Sequence, residues 1–201
     1  MRPAGLLGSR PMEIASVLFG REEIRRRVQE LGRTITGDYV GRDPVFITVL
    51  RGGAIFLADL VRAVDLPLQT HFLAITRYGG AEMSLGRVRV LLDVDVDLDG
   101  RDVILVEDIV DTGLTVAYLL SVLRVRGAAS VEVCTLLDRS VRRIAPLQPR
   151  YVGFDCPDRF VVGYGMDFRD KFRNLSDILC VDDMDELKRD PGALDGLLAR
   201  V

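Results

Sequence analysis

Between Arg21 and Tyr39 the apolar residues Ile24, Val28, Leu31 and Ile35 recur at helical spacing, with charged residues between them. That stripe predicts an amphipathic helix, closed near Gly37 or Asp38. GRDP then reads as a turn. VFITVL (Val45–Leu50) is a nearly unbroken β-branched run, the pattern of a strand covered on both faces. RGG interrupts it, and AIFLADLVRAV (Ala54–Val64) returns as a helix. THFLAIT (Thr70–Thr76) reads as a strand. RYGGAEMSLG (Arg77–Gly86) is polar and aperiodic and is expected to be a mobile loop. VRVLLDV follows as a strand, DLDGRD as a turn, and DVILVE as a second buried strand. Leu114–Val125 has the pattern of a helix and Val131–Asp138 that of a strand. Tyr151–Phe168 differs: YVGF and RFVVGYG are short strands separated by Pro157 and ended by glycines. Leu179–Val181 is expected to pair at a sheet edge. DDMDELKRDPGALDGLLARV, interrupted by Pro191 and Gly192, reads as a weak helix or a tail.

Alternation of hydrophobic strands with helices implies an α/β fold, a mostly parallel twisted sheet with helices on both faces. Such sheets bind ligands at the carboxyl ends of their strands. Two strand ends stand out, Leu50-Arg51-Gly52-Gly53 and Val106-Glu107-Asp108, and both are expected on the same rim.

Composition narrows the class. The chain has 201 residues, 48% hydrophobic and 28% charged, which suits one domain with a real core. A net charge of -3 gives no global pointer to nucleic acid. Cys134, Cys156 and Cys180 are far apart and form no Cys-x-x-Cys pair, so reduced thiols and a cytoplasmic location are expected. No apolar run approaches the roughly 18–20 residues of a membrane span. MRPAGLLGSRP has too short an apolar patch for a secretory signal and is expected to be an arm.

The densest chemistry lies in LVEDIVDTGLT (Leu105–Thr115). Thr112, Gly113 and Thr115 stand where the chain turns into a helix, and N–H groups there, with threonine hydroxyls beside them, suit a phosphate. Glu107 and Asp108 suit a vicinal diol, a metal, or both. Asp111 can serve as base, metal ligand or cap. Helix capping alone accounts for Asp111 or Thr112. It leaves Glu107 and Asp108 unexplained, because charge at the end of a buried strand is costly without a partner. Phosphate plus diol points to a ribose 5-phosphate.

VEDIVDTGLT resembles the phosphoribosyl-diphosphate (PRPP) motif of type I phosphoribosyltransferases. VLRGGAIFLADLV, TLLDRSVRR and VGFDCPDRFVVGYGMDFRDKFRNL, in that order, are similar to segments of the hypoxanthine-guanine phosphoribosyltransferase family. The resemblance implies an N-terminal arm (1–20), a phosphoribosyltransferase domain (21–181) with a hood near 151–181, and a tail or short helix (182–201). It implies that Glu107 and Asp108 hold the ribose hydroxyls, that Asp111 is the general base near N7 of the purine, and that Asp111 with Thr112, Gly113, Leu114 and Thr115 cradles the 5-phosphate. Leu50, Arg51, Gly52, Gly53 and Arg173 would meet pyrophosphate, with a non-proline cis peptide at Leu50–Arg51. Phe160 would stack on the base, Val161 would read its edge, and Asp167, with Glu107 and Asp108, would help hold Mg2+. The implied reaction is purine salvage: PRPP plus hypoxanthine or guanine gives IMP or GMP and pyrophosphate. A homodimer or homotetramer is implied, with no membrane or nucleic-acid partner.

Two positions depart from that pattern. The flexible loop's usual Ser-Tyr pair reads Arg77-Tyr78. The lysine that usually meets the exocyclic oxygen of a 6-oxopurine is Arg139, which is wider, planar and forked. His71, the sole histidine, has no catalytic neighbour in the sequence. A regulator binding PRPP or a nucleotide is the competing function, for which Arg124, Arg126, Arg142 and Arg143 could form a local basic patch. A receiver-like acidic pocket is a third, opposed by the Thr-Gly-Leu-Thr turn and the hood.

Overall fold

The computed structural model describes residues 14–78 and 87–195. The first thirteen residues of the expected arm, residues 79–86 of the expected loop and the last six residues lie outside this set.

Helix α1 (Arg21–Asp38) buries Ile24, Val28, Leu31 and Ile35 along the expected stripe. Gly32 lies on the same stripe. A Cβ there would fall inside contact distance of the Ala63 backbone, so a bare α-carbon lets α1 settle on α2 (Gly53–Ala63). Both helices cover one face of a six-stranded sheet, burying Phe46, Ile104, Val106 and Leu136 against Phe56 and Leu60. Helix α3 (Leu114–Val125) covers the other face, where Val116, Leu119 and Leu123 meet Val103, Leu105 and Val133. Burial on both faces is why strands β2 (Val45–Leu50), β5 (Asp102–Val110) and β6 (Ser130–Asp138) read as continuous apolar runs.

The sheet order is β4-β3-β2-β5-β6-β7, with β3 at Gln69–Tyr78, β4 at Arg87–Leu92 and β7 at Tyr151–Asp155. All pairings are parallel except β3 with β4. A second, antiparallel sheet forms the hood, in the order β1-β9-β8 (Ala15–Phe19, Ile178–Val181, Phe160–Val162). Its own core gathers Val162, Phe172, Leu175, Leu179 and Leu187. Helix α4 (Met184–Arg189) follows, its Asp183 cap accepting from the Glu186 N–H.

The structure corrects four expectations. Ala15–Phe19, placed in the arm, is strand β1, and its partner β9 is the central strand of the hood rather than an edge. The pairing joins Ala15 to Val181, a separation that local patterning does not reveal. Strand β3 runs through Arg77 and Tyr78, which pair with Val88 and Arg87, so those two residues begin as strand rather than loop. An edge hairpin of this kind tolerates polar side chains. Strand β5 continues to Val110, so Glu107 and Asp108 lie within it rather than at its end.

Candidate active site

Helix α2, which follows β2, and helix α3, which follows β5, lie on opposite faces of the sheet. The neighbouring strands β2 and β5 therefore define the topological switch point, where the chain opens a crevice. The ladder between them ends at Thr48–Val106, whereas β5 stays paired with β6 from Glu107 to Val110. The last residues of β5 thus have one free flank, and β2 leaves it through Leu50–Gly53.

Glu107 and Asp108 are consecutive in a strand, so they leave opposite faces. Glu107 is on the α3 side and lines a cavity of about 260 Å³ with Asp111, Thr112, Gly113, Thr115 and Val116. Asp108 turns the other way, under the pyrophosphate-loop candidate; a Cβ on Gly52 would collide with its carboxylate, and one on Gly53 with the Thr48 hydroxyl. The two strand ends expected on one rim are thus in contact there. Leu50–Arg51 is a cis peptide. Burial, with the Asp108 charge second, pushes the Glu107 carboxyl well above its usual range, and Glu107 Oε1 is buried without a partner. Burial also raises Asp108, opposed by N–H donation from Ile109 at 2.9 Å.

The turn after β5 is oriented from behind. The Val110 carbonyl accepts from the Arg139 N–H at 2.9 Å. The Asp111 carbonyl accepts from Arg143 Nε at 3.0 Å. The Thr112 carbonyl accepts from the N–H groups of Ile144 and Ala145 at 2.9 and 3.0 Å. In a trans peptide C=O and N–H point in opposite directions. With these three carbonyls turned back toward residues 139–145, the N–H groups of Asp111, Thr112 and Gly113 turn the other way. Gly113 adopts a left-handed φ of 77°, and the open first turn of α3 follows. The result is an anion nest at a helix N-terminus.

Beside it, Asp111 Oδ2 faces Arg139 Nη1 at 3.4 Å and Arg142 Nη1 at 3.9 Å. Arg139 is almost completely buried; its Nη2 donates to the Arg159 carbonyl of the hood at 2.6 Å. Asp111 Oδ1 and Arg139 Nε are both buried without partners. With Glu107 Oε1 they are the only such side-chain atoms among the described residues.

The hood supplies the remaining candidates. Phe160 is half-buried and meets Phe168 edge-on at 6.0 Å. Val161 is buried in β8, opposite Cys180. Arg173 donates to the Gly165 carbonyl at 2.8 Å and pairs with Asp167 at 2.7 Å. Arg51 pairs with Asp170 at 2.9 Å. Leu114 is exposed at the start of α3. The side chains of Arg77 and Tyr78 lie outside the described set. No group of three potential metal-ligating side chains converges among the described residues. Magnesium is usually held by one or two carboxylates plus substrate phosphates rather than an all-protein cage. Asp108 and Asp167, close enough to influence each other's charge, and the orphaned oxygen of Glu107 fit that mode.

Arg143 and Asp170 were not legible as site residues. Arg143 lies in the expected basic patch, but it is half-buried, pairs with Asp138 and holds the turn after β5. Arg142 and Arg126 of that patch pair with Asp158 and Asp93, so these arginines do not form a free basic face. The three cysteines are free and buried, as expected, and His71 lies 3.5 Å from Asp95, away from the site. A larger cavity, about 640 Å³, lies between α1, α2 and the hood and shares only Arg173 with the site.

Residues 20–169 match the family model described as a phosphoribosyl transferase domain. The hypoxanthine-guanine phosphoribosyltransferase of Mycobacterium avium is 47% identical over 178 residues, covering 86% of this chain and 88% of that protein. The enzyme of the same name from Bacillus subtilis is 42% identical over 163 residues, covering 81% and 91%. A solved hypoxanthine phosphoribosyltransferase from Staphylococcus aureus superposes with a TM-score of 0.81 at 37% identity, covering 84% of this chain and 92% of that one.

Proposed function

The chain belongs to the hypoxanthine-guanine phosphoribosyltransferase family, and from that premise we propose that it transfers the 5-phosphoribosyl group of PRPP to hypoxanthine or guanine, releasing pyrophosphate. The observation that carries this reading is the pair of orphaned atoms beside the anion nest, a donor on Arg139 and an acceptor on Asp111. A 6-oxopurine presents a carbonyl oxygen and a ring N–H on adjacent edges, which satisfies both. Adenine would set an amino donor against the Arg139 donor, leaving buried polar groups unpaired, a strong basis for rejection.

The nest at Asp111–Thr115 binds the 5-phosphate. Glu107 and Asp108, leaving opposite faces of β5, bracket the ribose hydroxyls. Arg139 and Arg142 hold Asp111 Oδ2, so Oδ1 is presented to the ring proton and takes it as the new glycosidic bond forms. The nearby carboxylates also favour the positive charge that develops on the ribose ring. Phe160 lies flat against the base, and Val161 meets its edge through the backbone. Arg51, the Gly52–Gly53 turn and Arg173 receive pyrophosphate. Asp167 with Glu107 or Asp108 would hold a magnesium ion together with the substrate phosphates, and such an ion would supply positive charge to offset that of the departing pyrophosphate. The Arg77–Tyr78 segment closes over the reacting centre. Homodimeric or homotetrameric assembly is inferred from the family resemblance, and a cytoplasmic location from the three free, buried thiols.

The test is incubation with PRPP, magnesium and, separately, hypoxanthine, guanine, xanthine and adenine, following nucleotide formation. Turnover of hypoxanthine and guanine with none of adenine is expected. Tight PRPP binding without turnover of any base would overturn the enzyme reading in favour of a PRPP-binding regulator.

A further inference from the structure

The segment Phe168–Lys171 is a two-residue hairpin. Phe168 and Lys171 exchange backbone hydrogen bonds at 3.1 Å in both directions. Its central residues, Arg169 and Asp170, have φ values of 52° and 63°. Two positive φ values at these positions are the mark of a type I′ turn, which favours Asn-Gly. This chain places Arg-Asp there, and left-handed backbone is unfavourable for side chains other than Asn, Asp and Gly. Arg169 is stacked over the Phe168 ring at 5.3 Å. Asp170 has a more specific position.

One oxygen of Asp170, Oδ1, meets Arg51 Nη1 at 2.9 Å and Arg173 Nη2 at 3.2 Å. These are the two cations proposed above to receive pyrophosphate, one from the turn after β2 and one from the hood. The Asp170 N–H is itself fixed, donating to Asp167 Oδ2 at 2.8 Å. The hairpin therefore holds an anionic oxygen between the two arginines. The Asp170 and Arg51 side chains are 69% and 70% exposed. Ion pairs that open are weak, which suits a partner that must give way to a multiply charged anion.

We infer that Asp170 is a resident counter-ion of the pyrophosphate subsite, bridging Arg51 and Arg173 in the free protein and competing with pyrophosphate for them. It is a positioning residue: it keeps the two arginines gathered and lowers the affinity for the leaving group, so that pyrophosphate departs faster. This rests on the pyrophosphate role proposed for Arg51 and Arg173.

The test is calorimetric titration of pyrophosphate, with magnesium present, into the full chain, Asp170→Asn and Asp170→Gly. Asparagine keeps the shape and the left-handed backbone, and glycine removes any backbone penalty, so at least one variant reports on the charge alone. Asp185→Asn, on an exposed carboxylate in α4, controls for net charge. Tighter pyrophosphate binding by roughly two- to tenfold is expected for the Asp170 variants, shrinking as salt is raised, with no change for Asp185→Asn. Equal or weaker binding in a folded Asp170 variant overturns the inference, as does an equal gain in the control. Because the readout needs no turnover, a chain that shows this shift yet converts no base would sink the transferase reading and leave the counter-ion standing.

Discussion

Glu107 sets function against stability in a single side chain. It is buried, Oε1 has no partner, and burial followed by the Asp108 charge holds its carboxyl well above the ordinary 4.5. The folded chain therefore binds that proton more strongly than the unfolded one. The stability linked to it is complete below about pH 4.5 and is lost as pH rises through the elevated folded value. Glu107→Gln removes the buried charge. It is expected to stabilise the protein by about 1–3 kcal/mol at neutral to mildly alkaline pH, with a gain of about 2–4 °C in Tm for each kcal/mol in a chain of this size. The gain should vanish in acid, where both side chains are neutral. Melting curves across pH check this, and a gain that does not vary with pH would remove Glu107 as the source. The same variant should bind PRPP more weakly, having lost one side of the proposed ribose bracket. Acids in an apolar strand announce themselves in the sequence, and so does a Thr-Gly turn before a helix. Arg143 does not: its role depends on carbonyls at Val110 and Asp111, more than thirty residues away, and no side-chain pattern encodes carbonyl direction.

At the scale of elements, period and burial made α1, β2, α3 and β6 legible, because each buries an uninterrupted stripe or run. What local pattern could not give was how closely elements approach. Gly32 and Gly37 both lie in α1 and look alike in the sequence, yet a Cβ on Gly32 meets the backbone of α2 and one on Gly37 meets nothing. Helix propensity alone favours alanine at either position by about 1 kcal/mol. At Gly37 that gain should appear undiminished. At Gly32 the obstacle is helix backbone, which cannot rotate aside, and overpacking of about 1–3 kcal/mol should outweigh it. Urea midpoints should therefore move in opposite directions: Gly37→Ala upward, Gly32→Ala downward. A rise for both would show that α1 and α2 separate at little cost.

On the scale of the whole molecule, two bodies meet over the crevice. The sheet with α3 carries the turn proposed to bind the 5-phosphate, and the hood carries Phe160, Val161 and Arg173, proposed to meet the base and pyrophosphate. They are fastened by Arg139 to the Arg159 carbonyl, by Arg142 to Asp158, and by the Tyr164 hydroxyl to Asp59 at 2.6 Å. Strand β1 is a further tie. It completes the hood sheet on β9, its last residue Phe19 stacks on Phe154 of β7 at 4.1 Å, and the next backbone N–H but one, at Arg21, donates to Asp177. No periodicity marks Ala15–Phe19 as essential, since its strand partner among the described residues, β9, is at the far end of the chain. Its removal separates the two halves of the site experimentally. A chain lacking residues 1–19 loses one flank of β9, which in turn supports β8, where Phe160 and Val161 are proposed to meet the base. The KM for hypoxanthine should rise roughly tenfold, the equivalent of about 1.4 kcal/mol. PRPP affinity, which the proposed site assigns to the turn between β5 and α3 and its backing from residues 139–145, should change much less. Phe19→Ala, which keeps the strand but removes the stacked ring, should move both quantities in the same directions by smaller amounts. Steady-state kinetics for the base and calorimetry for PRPP read the two halves separately. If PRPP affinity fell as far as base affinity, the hood would be shaping the phosphate nest as well, and the two bodies would act as one.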